Sequence, residues 1–78
     1  MTKVQITDAL ILKLEYEIQE FQEGDDACEI IEVLLNDTIY DKFTLGYLTA
    51  HLEVMGSSYE GKELMKMFYN LVKEIKNI

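Results

Sequence analysis

Residues 57–78, SSYEGKELMKMFYNLVKEIKNI, carry the clearest structural signal in the chain. Apolar or small residues recur there at alternating steps of three and four, which places them on one face of an α-helix. The recurring residues are Gly61, Leu64, Phe68, Leu71, Ile75 and Ile78. We predict that this face is buried, chiefly through Leu64, Phe68, Leu71 and Ile75.

The ends of this helix follow from residues that suit helix termini. Ser57 and Glu60 have the spacing of a capping box, in which the two side chains accept hydrogen bonds from amides of the first turn. Lys73 and Lys76 lie in the last turns, where cations interact favourably with the helix dipole. The sequence therefore predicts a helix over about 58–77.

Another amphipathic helix is predicted near the N-terminus. Thr7 followed by Asp8 suits a helix start, and Gly24 suits a left-handed residue just after the helix end. Between them, apolar residues again recur at helical steps, namely Leu10, Ile11, Leu14, Ile18 and Phe21. We expect the first six residues, where Val4 and Ile6 alternate with polar residues, to be extended or frayed.

The next segment predicts a helix that is apolar on nearly all sides. Asp26 and Glu29 have the spacing of a capping box and open a helix over about 27–36. Only Glu29 and Glu32 are left to face water. Such a helix is either central in the fold or covered by a second subunit.

A third segment is less clearly bounded. Its helical spacing comes from Leu45, Leu48, Leu52 and Met55, and Gly56 ends it. Residues 38–44 suit a strand, a loop or a helix start, so the helix begins at Thr38 or Asp41. Together the segments predict an all-α fold. We expect a single domain over residues 1–78, a compact bundle of three to four antiparallel helices with a short extended N-terminal segment.

The charge of the chain is strongly one-sided. The formal net charge is −8, and the chain from Leu14 to Asp41 holds ten carboxylates and no Lys or Arg. These are Glu15, Glu17, Glu20, Glu23, Asp25, Asp26, Glu29, Glu32, Asp37 and Asp41. Such a field repels nucleic-acid phosphates and attracts basic surfaces, so we expect no direct binding of nucleic acid. One candidate surface for DNA remains on the last helix, at Lys62, Lys66, Lys73 and Lys76. We expect these lysines to be solvated or paired with carboxylates.

Residues suited to catalysis or metal binding are scarce. The one cysteine and the one histidine, Cys28 and His51, lie 23 residues apart without an accompanying motif. Glu23, Asp25 and Asp26 cluster between the first two helices, but they lack the ligand spacing of an EF-hand, and capping explains them more simply. We therefore expect no enzymatic activity, no metal site and no cofactor.

The cysteine content and the apolar segments of the sequence also predict the cellular compartment of the protein. A single cysteine excludes an intrachain disulfide and fits a reducing compartment. Asp8 and Lys13 interrupt the apolar residues near the N-terminus, so the pattern of an export signal is missing, and no stretch is apolar enough to span a membrane. We expect a cytoplasmic protein that does not contact membranes.

The first helix also offers a candidate recognition surface. If Leu10 and Leu14 face inward, Leu12 and Tyr16 project from the opposite side, with carboxylates on the next turns. An apolar anchor with a charged rim is typical of protein interfaces. The alternative is that helices pack on two sides of this one and bury both residues. The candidate partner-binding residues are Leu12, Tyr16, Glu20, Glu23, Asp25, Asp26, Glu29 and Glu32.

Two classes of function fit these observations. The first is a small acidic module that occupies a basic, for example nucleic-acid-binding, surface of a partner protein. Inhibitors and nucleic-acid mimics of phages, plasmids and bacteria share this size and acidity. The alternative is a self-associating structural or regulatory protein, a homodimer formed through the apolar second helix and the buried face of the last helix. Neither function includes catalysis.

Overall fold

The computed structural model describes residues 3–77, which form a compact bundle of four helices. The helices are α1 (Asp8–Glu20), α2 (Ala27–Thr38), α3 (Lys42–Gly56) and α4 (Gly61–Lys76). The described part of the chain contains no strand. The predicted all-α bundle is therefore confirmed. None of the helices within this part is long and apolar enough to cross a membrane.

The central pair of the bundle is α2 and α4, which contact each other and also contact both remaining helices. Among the described residues, α1 and α3 do not contact each other. They therefore lie on opposite sides of the α2–α4 pair. Each of these two flanking helices has one face toward the core and one outer face that no helix covers.

The core is built from aliphatic side chains around Phe68, which is fully buried. The fully buried apolar residues contributed by the other helices are Leu10, Leu14, Ile31, Leu35, Leu48 and Leu52, and Thr44 of α3 is a fully buried polar residue. The apolar surface of α2 is thus buried mainly by helices of the same chain. The faces of α2 and α4 from which a dimer interface was expected are therefore already used inside the bundle.

On α4, the predicted burial is correct in part. Leu64 and Phe68 are buried, but Leu71 and Ile75 are only half-buried. Met65 and Val72 are fully buried instead. The cause is that α4 contacts three helices, so its buried arc follows the i, i+4 row through Leu64, Phe68 and Val72 rather than the narrower seam of a helix pair. The last predicted position, Ile78, lies outside the described residues.

Three of the predicted helix starts are confirmed by hydrogen bonds from backbone amides to side chains. The Thr7 hydroxyl oxygen caps α1, and a carboxylate oxygen of Asp26 caps α2. Asp41 caps α3 by accepting from the amide of Thr44 at 2.9 Å. The ambiguous segment 38–44 is therefore the end of one helix, a short link and the start of the next, and it contains no strand.

Two predicted boundaries are wrong. Gly24 does not end α1: this helix stops at Glu20, because Phe21 is extended (ψ 130°), and the positive φ of Gly24 (98°) serves the turn that follows. Ser57 and Glu60 do not form a capping box. The Ser57 hydroxyl donates to the carbonyl of Val54 at the end of α3, and α4 begins at Gly61 without a side-chain cap.

The part of the N-terminal segment that precedes α1 has no helix or strand over residues 3–7, in agreement with the extended prediction. It is attached to α3 through a buried threonine. The amide of Gln5 donates to the Thr44 hydroxyl at 2.7 Å, and that hydroxyl donates to Asp41 at 2.6 Å. The bond from the Thr44 hydroxyl stabilises the ionised carboxylate of Asp41 directly, and the bond from the Gln5 amide supports it by polarising that hydroxyl. One hydrogen-bond network therefore holds both the N-terminal segment and the N-terminal cap of α3 in place.

We expect Phe68→Ala to lower the free energy of unfolding by about 3–5 kcal/mol, because it removes a fully buried ring from the centre of the core. Urea denaturation measures the change. The matched control is Tyr16→Ala, which removes an exposed ring and should change stability by less than about 0.5 kcal/mol. Equal midpoints for Phe68→Ala and the parent would show that this face of α4 is not in the core.

The pKa of Asp41 should rise toward its ordinary value in Thr44→Val. The side-chain and backbone hydrogen bonds from Thr44 hold the Asp41 pKa below its ordinary value, outweighing the opposing effect of burial. A lowered folded-state pKa stabilises the fold above the ordinary pKa, and this stabilisation is lost as the pH falls through the folded value. The parent should therefore lose more stability than Thr44→Val between about pH 5 and pH 2. An NMR titration in which both proteins show the same Asp41 pKa would refute the role of Thr44.

Candidate functional site

The most distinctive surface feature is a groove between the second half of α1 and the first half of α2. We refer to it as the α1/α2 groove, and its volume is about 400 Å³. Its lining residues are Glu17, Asp25, Asp26, Glu29, Ile30, Val33 and Leu34. Four of the seven are carboxylates and three are aliphatic, and none is basic.

The floor and the rim of the groove come from different parts of the two helices. Ile30, Val33 and Leu34 form the apolar floor, because they share one side of α2, at the edge of the core to which Leu34 belongs. Val33 is exposed, although the sequence predicted only glutamates on the solvent side of α2. The carboxylates of Glu17 and Glu29 lie on the two helices beside this floor, and Asp25 and Asp26 lie in the turn at its end.

Two of the rim carboxylates also hold the local backbone. Asp25 accepts a hydrogen bond from the amide of Gln22 at 2.9 Å and closes the turn between the helices. Asp26 accepts from the amide of Glu29 at 3.2 Å and caps α2. The predicted capping role is therefore confirmed for Asp26, whereas Asp25 holds a turn. Among the described residues, the Glu29 side chain does not complete a capping box. Among residues 3–77, no three His, Cys, Asp or Glu side chains are grouped in a way that suits a metal ion.

The structure brings together some of the predicted partner-binding residues and separates others. Asp25, Asp26 and Glu29 line the α1/α2 groove. Glu20, Glu23 and Glu32 are exposed, but they are not part of its lining. The sequence places Glu17 in the acidic run without distinguishing it from the other members. It becomes a site residue only through the packing of α1 on α2.

Leu12 and Tyr16 lie on the outer face of α1, where their exposed fractions are 64% and 61%. The alternative in which neighbouring helices bury them is therefore wrong. They project away from the core and are absent from the lining of the α1/α2 groove. The two predicted components of the recognition surface thus occupy different faces of the molecule.

The lysines near the end of α4 lie beside α1. Lys76 forms an ion pair with Asp8 (Nζ to Oδ1, 3.1 Å), and Lys73 lies 5.3 Å from the centre of the Tyr69 ring. The Tyr69 hydroxyl donates to Glu15 at 2.7 Å, and this bond is the main cause of the raised pKa of Tyr69. The expected pairing of these lysines with the chain's own carboxylates is found for Lys76. No lysine of α4 lines the α1/α2 groove.

Cys28 and His51 lie in separate surroundings. Cys28 is half-buried on α2 beside Gly56, where a Cβ atom added to the glycine would come within 3.2 Å of the sulfur. Burial, with repulsion from Asp26 and Glu32, raises the pKa of the Cys28 thiol. His51 packs against Tyr47 on α3, with ring centres 4.7 Å apart. A protonated thiol is a poor nucleophile, so these surroundings do not favour cysteine chemistry.

No protein-family model, curated protein or solved structure matches this chain.

We expect Cys28 to react more slowly with iodoacetamide at pH 7 in the folded protein than in the protein unfolded by urea. The raised pKa leaves less thiolate, which is the reactive form. Mass spectrometry of the alkylated chain gives both rates. Asp26→Asn should accelerate the folded-state reaction, because it removes one of the repelling charges. Equal rates in the folded and unfolded parent would show that the thiol is not shielded.

Proposed function

We propose that this protein binds a basic surface of another protein through the α1/α2 groove, as a small acidic inhibitor or mimic. The observation that carries the proposal is the composition of the groove, in which carboxylates surround an apolar floor and no lysine contributes. In this proposal the protein has no catalytic role. Its partner is a protein rather than a nucleic acid, because the same carboxylates repel phosphates.

The groove suits a partner segment that carries both apolar and basic side chains. An aliphatic or aromatic side chain would pack on Ile30, Val33 and Leu34 and be removed from water. Lysine or arginine side chains beside it would reach Glu17 and Glu29, and arginine can bind a carboxylate through two parallel hydrogen bonds. This arrangement of a desolvated anchor with charged groups at its edge is common in protein interfaces.

The charge distribution around the groove supports rapid association. The chain from Leu14 to Asp41 has no lysine, and in the described structure the one ion pair, Lys76 with Asp8, lies outside that run. Glu20, Glu23 and Glu32 extend the negative surface beyond the groove. A field of one sign attracts an oppositely charged partner at long range and raises the association rate.

The exposed pair Leu12 and Tyr16 provides a second candidate contact on the same helix as Glu17. A partner larger than a single peptide segment could cover both the groove and part of the outer face of α1. In that case Tyr16 would act as an aromatic anchor next to Glu20. The groove remains the primary site in this proposal, because it combines a concave apolar surface with carboxylates from two helices.

The test compares three baits for affinity capture from a lysate of the source cells. The groove variant is Glu17→Lys with Glu29→Lys, which reverses two rim charges and leaves the structural carboxylates Asp25 and Asp26 intact. The control is Glu63→Lys with Glu74→Lys, an equal charge change at exposed positions on α4. The parent and the control should retain the same protein, and the groove variant should lose it. Circular dichroism checks that all three baits are folded.

Binding of the captured protein should weaken at least about tenfold in the groove variant and much less in the control. The association rate of the parent should fall as the screening length shrinks from about 10 Å at 0.1 M salt to about 3 Å at 1 M. Val33→Ser should weaken binding without changing the salt dependence, because it alters only the apolar floor. If the groove variant and the control bind equally well, the groove is not the site.

A further inference from the structure

The outer face of α3 is a stripe without charged side chains of its own that no other helix covers. The N-terminal segment reaches its edge, where Lys3 and Val4 line a hollow together with Tyr47. Phe43, Tyr47 and Val54 lie on the stripe with exposed fractions of 48%, 39% and 70%. Their spacing of four and seven places them along one side of the helix. Gly46 and Ala50 are exposed between them, and His51 packs against Tyr47 at the edge. We refer to these six residues as the α3 stripe.

We propose that the α3 stripe is the interface of a homodimer in which the α3 helices of two copies pack antiparallel about a twofold axis. This inference is independent of the α1/α2 groove, which lies between the other flanking helix and α2. The two surfaces face different ways, so a dimer would present two grooves to partners.

The side-chain sizes along the stripe allow it to pack against an antiparallel copy of itself. An antiparallel pair whose axis passes between positions 48 and 49 brings each large residue opposite a small or medium one of the second copy. The facing positions are Phe43 with Val54 and Tyr47 with Ala50. A twofold interface requires one patch to fit its own copy in this way. A Cβ atom added at Gly46 would meet nothing within 4 Å, so the surface of α3 is open at this position.

The charge of the molecule also favours this face for self-association. At a net charge of −8, two copies repel each other, so a dimer must join the faces with the fewest carboxylates. The α3 stripe has none. The charged residues nearest to it along α3 are Lys42 and Glu53, which lie on one flank near opposite ends of the helix. An antiparallel pair brings each Lys42 toward the second copy's Glu53.

A basic partner is a poorer occupant of the stripe than a second copy. The stripe has no carboxylate to pair with a lysine or arginine side chain, whereas the α1/α2 groove offers four. The stripe exposes roughly 400 Å² per copy, so the pair would bury at most roughly 800 Å², which is in the range of weak, transient interfaces. The dimer should therefore be reversible.

The first test is sedimentation equilibrium of the full chain from about 10 µM to about 1 mM. The parent mass should rise from 9.1 kDa toward twice that value, and it should rise more at about 1 M salt than at about 0.1 M because salt screens the repulsion. Ala50→Glu should raise the dissociation constant at least about tenfold, since it places a carboxylate against the second copy's Tyr47. The control is Leu12→Glu, which adds the same charge to an exposed site on α1 and should have a much smaller effect.

The second test determines the direction and register of the pairing. Phe43→Cys and Val54→Cys are each made in a Cys28→Ala background, mixed in equal amounts and oxidised. The antiparallel dimer should give the mixed disulfide between positions 43 and 54, well above the share expected from random pairing of two species. Predominance of the two symmetric disulfides would overturn the proposed pairing. A chain that stays at 9.1 kDa at every concentration and salt would overturn the homodimer.

Discussion

The packing of α4 against the other three helices is the constraint on which the rest of this bundle depends. The α4 helix contacts α1, α2 and α3, and Phe68 with its neighbours on the i, i+4 row is buried in the core that the four helices share. Because α2 makes a similar set of contacts, the two helices leave only flanking positions for α1 and α3. The outer faces of these flanking helices, and the groove beside α1, are consequences of that arrangement. Both proposed interfaces lie on surfaces that the central pair leaves uncovered.

The sequence predicted those parts of the fold that depend on local chemistry. Thr7, Asp26 and Asp41 cap helices because a short oxygen-bearing side chain can reach the free amides of the first turn. The capping box predicted at Ser57 failed because the same hydroxyl can instead bond to a carbonyl of the preceding helix, and it does so with Val54. The spacing of Ser57 and Glu60 is compatible both with a cap on α4 and with a bond to the end of α3. Which of the two forms depends on the path of the backbone between these helices.

The candidate site was less accessible to sequence reasoning, for a physical reason. The acidic run was visible from composition, and so were Asp25, Asp26 and Glu29 as members of it. The groove, however, requires knowing that α1 and α2 are neighbours and which flank of each faces the other. Glu17 and the floor residue Val33 become site residues only through that packing. The stripe on α3 was missed for a related reason, since helical spacing alone does not tell which side of a weakly amphipathic helix its neighbours cover.

Asp25 and Asp26 connect the groove to the folding of the chain. Both line the groove, and both hold backbone amides at the junction of α1 and α2. Glu17 and Glu29 carry charge into the same groove without capping a helix or closing a turn through their side chains in the described structure. The aspartate pair and the glutamate pair should therefore vary independently of each other during evolution. The aspartates would persist even in descendants that had changed partners, whereas the glutamates would be free to change sign and could redirect the same bundle to a different class of surface.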